Sequence, residues 1–149
     1  MSKIKQLKQF LTRLGEKSQD LALLLLRLVL AYGFFGPAMM KWENMHAIGD
    51  WFKSLGYPAP YFNAYMAGTT EMLGVILLIL GFGTRIITLL LIFVMFIAIT
   101  TVHLRNGFEA GNNGFEIPLY YAVMLFTLFA FGPGKYSLEA LLCKKKNEN

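Results

Sequence analysis

Four apolar stretches separated by short polar ones run along the chain, at about residues 21–40, 62–80, 86–102 and 117–131. A helix of about 20 residues spans the roughly 30 Å hydrocarbon core of a bilayer, so the pattern predicts four membrane spans at these positions. The polar breaks carry turn chemistry. Tyr57-Pro58 and Ala59-Pro60 close a first long loop, within which Ala47 to Leu55 predicts a short interfacial helix. Gly81-Phe82-Gly83-Thr84-Arg85 makes a tight turn, and His103 to Phe115 is a loop rich in Gly and Asn. Pro118 suits a first helical turn, and Gly132-Pro133-Gly134 stops the last span. Helices satisfy their own backbone hydrogen bonds in lipid, so the reading is an all-α integral membrane protein, a four-transmembrane-helix bundle over 21–135.

The flanks set the orientation. Residues 1–20 place Ile4, Leu7, Leu11 and Leu14 at helical spacing among Lys3, Lys5, Lys8, Arg13 and Lys17, the pattern of a basic amphipathic leader on an anionic cytoplasmic surface. A basic tail over 136–149 carries Lys144, Lys145 and Lys146. With Arg85 in the turn between the second and third spans, the positive charge predicts both termini in the cytoplasm. Trp42, Trp51, Tyr57 and Tyr61 are anchors for the opposite interface. The net charge of +5 therefore reflects topology, and no nucleic-acid partner is expected. The single cysteine, Cys143, excludes an internal disulfide and a paired-cysteine redox motif. An even number of spans is compatible with a monomer or a homo-oligomer.

Charged residues inside these stretches are the candidate chemistry. Arg27 interrupts the run LLLLRLVL of the first span, and Glu71 lies near the middle of the second. A charge at the bilayer centre costs roughly 3 kcal/mol or more, so an Arg27–Glu71 ion pair is expected. That pair either fixes the helix register or forms the floor of a polar intramembrane pocket. A second set, Lys41, Trp42, His103, Glu116 and Tyr120, belongs at the outer ends of the spans, where it forms the mouth of an outward-opening cavity. Met39, Met40, Met45, His46 and His103 give an alternative, because thioether and imidazole groups suit Cu(I). The chain has no P-loop, dinucleotide-binding glycine fingerprint, HExxH or nucleophile elbow, which argues against a self-contained enzyme.

The runs LLLRLVLAYGFFGPAMMK, LGYPAP, AGTTEMLGVILLILGFGTR, GFEIPLYY and FGPGKYSLE resemble, in order and spacing, the DoxX family of small four-span bacterial membrane proteins. GPAMMK departs from the family pattern, which has a histidine or tyrosine followed by glycine before the lysine. The resemblance implies a compact inner-membrane bundle with Arg27, Lys41, Glu71, His103 and Glu116 as its marked polar positions. It implies a redox-associated membrane subunit that binds a quinone or similar small molecule and acts with a partner oxidoreductase or a peripheral protein. The alternatives are a non-catalytic binder or transporter of copper or a small solute at the outer face, and an assembly scaffold.

Overall fold

A computed structural model describes residues 3–147, in which every regular element is helical. The helices are α1 (Lys3–Glu43), α2 (Met45–Ser54), α3 (Pro60–Leu80), α4 (Thr84–Ala98), α5 (Glu116–Phe131) and α6 (Leu138–Asn147). Three helical stretches are long and apolar enough to cross a membrane: α1, α3, and α4 with its continuation to Asn106. The fourth apolar helix, α5, has 16 residues.

The amphipathic leader does not form an element of its own. It is continuous with the first apolar stretch in α1, whose 41 residues span about 62 Å at 1.5 Å per residue. Nothing between Lys17 and Leu21 ends a helix: there is no proline, and Ser18 turns its hydroxyl back onto the Leu14 carbonyl. Residues 3–19 are exposed throughout, Ile4, Leu7, Leu11 and Leu14 included.

The bundle is built on α1 against α3 and α4 against α5, with α2 packed on α3. The inward stripe of α1 is Leu23, Arg27, Leu30, Ala31, Phe34 and Ala38; that of α3 is Ala64, Gly68, Glu71, Gly74, Val75 and Leu78. Both repeat at three- and four-residue spacing, the geometry of helices crossing at a shallow angle. Small residues bring the backbones close. A Cβ on Gly68 would press on Lys41 and Met45, and one on Gly74 would meet Leu91 of α4 at 2.8 Å. Leu30, Phe34, Leu78, Leu91, Leu125 and Leu128 fill the centre.

At one end of the bundle, called here the Arg27 end, lie the α3–α4 turn and the segment leading to α6. At the other, the Lys41 end, α2 and the 107–115 loop close over the helices. That loop is folded onto itself: Phe115 and Glu116 donate their amides to the Gly107 and Phe108 carbonyls at 3.1 and 3.0 Å. Any side chain at Gly114 would collide with the carbonyls of residues 107–109.

Candidate functional site

A cavity of about 270 Å³ opens at the Lys41 end between α1, α3, α4 and α5. Its wall on α1 runs from Gly33 and Phe34 to Pro37 and Lys41. Proline has no amide to return to the carbonyl four residues earlier, so Pro37 leaves the Gly33 carbonyl without its usual helical donor beside the cavity. Glu71 enters from α3, Tyr121 from α5, and His103 from the end of α4. Gly33 admits Tyr121, whose phenol occupies the space a Cβ would take, and the Tyr121 ring tilts on Phe34 at 5.4 Å.

The charged pair of the cavity is Lys41 with Glu71. The Lys41 ammonium donates to both carboxylate oxygens, at 2.8 and 3.0 Å, with the two side chains 14% and 4% exposed. The ammonium carries three protons and the carboxylate engages two, so one donor remains. Beside the pair, the Trp42 indole donates to the Gly68 carbonyl at 3.2 Å and fastens α1 to α3.

His103 reaches the cavity because α4 ends in a wider π turn over Ile99–His103. The inward stripe Thr84, Ile87, Thr88, Leu91, Met95 would continue at position 102 in a regular helix. The wider turn absorbs an extra residue and brings His103 inward. Its Nδ1 lies 2.8 Å from the Asn113 carbonyl, which also accepts from the Asn106 amide at 3.1 Å.

The expected Arg27–Glu71 pair does not form. Arg27, fully buried, donates to the carbonyls of Leu78 at 3.1 Å and Ile79 at 3.3 Å, and to that of Tyr136. The first two are carbonyls of α3's last turn, which lack helical donors and form the negative end of the helix dipole. The register accounts for the difference. Arg27 stands opposite Leu78 to Gly81, while Glu71 lies seven residues, roughly 10 Å, further along α3, where Lys41 is its neighbour. Arg85 behaves similarly, donating to the Phe129 carbonyl at the end of α5.

The expected outer cluster also divides. Lys41 and His103 line the cavity; Glu116 does not, since its carboxylate accepts the Ala110 amide at 3.0 Å and the Tyr120 hydroxyl at 3.1 Å. Tyr120 is exposed, and the tyrosine of the cavity is its neighbour Tyr121, which the sequence reading missed. The signal was present in the helical phase, because residue 121 falls between Pro118 and Leu125 on the buried stripe of α5. The copper candidates have separate surroundings. Met45 is buried near Gly68, Met40 is exposed, and Met39 is half-buried; His46 lies edge-on to the Tyr61 ring, and His103 is in the cavity. Among the described residues, no three His, Cys, Asp or Glu side chains are grouped to hold a metal.

The DoxX family model matches residues 22–104, which supply the α1, α3 and α4 walls of the cavity. An uncharacterized protein of Haemophilus influenzae is 33% identical over 131 residues, covering 83% of this chain and 84% of the relative. A Bacillus subtilis protein named "Putative oxidoreductase CatD" is 34% identical over 100 residues, covering 67% of this chain and 72% of that one. No solved structure matches the chain.

Proposed function

The chain belongs to the DoxX family of membrane proteins, and on that premise we propose that it is a redox-associated membrane subunit holding a quinone-like small molecule at Lys41, Glu71, His103 and Tyr121. The observation that carries this reading is the gathering of these four polar side chains, one from each of four helices, around one cavity. Its volume, about 270 Å³, lies just below the roughly 300–1,000 Å³ of small-molecule sites. Phe34, Met95, Ile117 and Pro118 supply apolar wall for a ring. The remaining Lys41 proton is a donor for one ring oxygen and the His103 imidazole a polar partner for the other, so the residues present fit such a ligand. A bound quinone would supply two-electron redox chemistry. The chain's own part is to bind and orient the ring between Lys41 and His103.

The oxidoreductase name of the Bacillus relative supports a redox setting, and electrons would come through a partner oxidoreductase or peripheral protein. In this reading α1, α3, α4 and α5 all cross the inner membrane. α5 is about 24 Å long, and the residues flanking it complete the crossing. Both termini are cytoplasmic, with the 1–20 leader and the 136–149 tail on that side, and the cavity opens on the outer face.

Native mass spectrometry of the full chain, purified in mild detergent from its own membranes, tests the reading. A retained quinone that is lost in Lys41→Met and His103→Ala supports it; retention unchanged in both variants overturns the assignment of the cavity.

A further inference from the structure

Two chemical forms of a quinone-like ligand differ in what they offer a protein: the oxidised ring presents only carbonyl acceptors, the reduced ring presents hydroxyls. The hydrogen bonds around His103 discriminate between them. A carbonyl oxygen only accepts, so the contact of Nδ1 with the Asn113 carbonyl requires the hydrogen on Nδ1. A neutral imidazole has one N–H, which leaves Nε2 a bare acceptor, and no described protein donor bonds it.

The backbone enforces this tautomer. Asn113 turns back in the left-handed region at φ 58°, a conformation asparagine tolerates, and its carbonyl is pinned by Asn106 as well as by His103. The next residue, Gly114, is wedged against three carbonyls of its own loop. Lys41 presents the opposite character, a charged donor with one proton left after Glu71. The cavity thus offers an acceptor at His103 and a donor at Lys41.

We infer that, with His103 neutral, the cavity recognises the reduced, hydroxyl-bearing form of a quinone-like ligand in preference to the oxidised form. This inference rests on the cavity being the small-molecule site. A hydroquinone donates one hydroxyl to Nε2 and accepts at the other from Lys41. A quinone satisfies Lys41 but sets a carbonyl lone pair against the lone pair of Nε2, an unmatched polar contact that disfavours the oxidised form. Protonation of the imidazole turns Nε2 into a donor and removes the preference, so it declines as pH falls. The charged and titratable groups facing His103 across the cavity are Lys41 from α1, Glu71 from α3 and Tyr121 from α5. Glu109 is turned to Asn112, and Glu116 to Ala110 and Tyr120.

The test uses the full chain in detergent under anaerobic conditions, with a short-chain hydroquinone and its matching quinone as probes. Dissociation constants for both are measured at about pH 8 and about pH 5. The hydroquinone is expected to bind at least about tenfold tighter at the higher pH, with the ratio falling towards one at the lower. His103→Gln, whose amide presents either a donor or an acceptor, should remove the pH dependence of the ratio. Nitrogen-15 NMR of the imidazoles, assigned with His46→Gln, should find the hydrogen of neutral His103 on Nδ1. Binding of both forms with equal affinity at both pH values overturns the inference and leaves the small-molecule reading standing. Failure of both probes to bind overturns the inference and the small-molecule reading together, binding of the quinone alone overturns the inference, and so does a hydrogen on Nε2 in the neutral imidazole.

Discussion

A guanidinium needs several acceptors near its own plane; the last turn of α3 offers Leu78 and Ile79 and the segment before α6 offers Tyr136 to the two terminal nitrogens, while Nε has no partner among the described residues. Arg27 is thereby compensated by partial charges, and Glu71 is free for the ammonium of Lys41. Separate compensation has a measurable consequence. Arg27→Met and Glu71→Leu should destabilise additively, within about 0.5 kcal/mol, in a double-mutant cycle followed by thermal unfolding in detergent. Lys41 and Glu71 should instead couple strongly. Either Lys41→Met or Glu71→Leu alone leaves a buried charge unpaired and should cost about 3–5 kcal/mol, whereas the double variant recovers most of the loss. A cycle showing coupling between Arg27 and Glu71, and none between Lys41 and Glu71, would contradict the observed pairing. The ion pair between Lys135 and Asp20 is of another kind, because the lysine side chain is 85% exposed. Asp20→Asn should leave the unfolding temperature nearly unchanged in the same assay.

At the scale of elements, the site exists because two helices depart from regularity. Pro37 removes one hydrogen bond from α1 beside the cavity, and the π turn rotates the end of α4 so that His103 faces inward. The absence of a side chain at Gly33 lets α5 bring Tyr121 against α1. Gly33→Ala should force the Tyr121 phenol out of its place, costing about 1–3 kcal/mol of stability, a typical overpacking penalty. It should also weaken small-molecule binding. Adding Tyr121→Leu should restore the stability but not the binding. If Gly33→Ala leaves both thermal unfolding and binding unchanged, the close approach of α1 and α5 is not what shapes the cavity.

For the whole molecule, the proposed orientation places Cys143 in the cytoplasm, and since it is the sole cysteine it reports on topology without further engineering. A membrane-impermeant maleimide should label Cys143 in inverted inner-membrane vesicles and spare it in intact spheroplasts. Labelling in intact spheroplasts would reverse the orientation and turn the cavity towards the cytoplasm. An odd number of crossings would show as the two ends of the chain reporting opposite sides, which a cysteine placed at Ser2 in a Cys143→Ser background would reveal.

Apolar runs with Gly and Pro punctuation made the helices legible along the chain, because the cost of exposing backbone polar groups to lipid leaves a 20-residue apolar segment few alternatives. The ionisable groups were legible too: Arg27, and the cavity's Lys41, Glu71 and His103, stand out in or beside apolar runs. Their partners were not. Aligning the hydropathy centres of two spans places Arg27 near Glu71, but in the packed bundle Gly68 lies against Lys41 and Gly81 against Arg27, a register that sets Arg27 at the end of α3 instead. Likewise the helical spacing of Ile4, Leu7, Leu11 and Leu14 was legible, whereas its continuity with the first span was decided by the unbroken backbone of α1. Hydropathy records whether a residue prefers lipid or water; which residues meet depends on how side-chain shapes lock the helices in rotation and translation, and only the packed bundle fixes that.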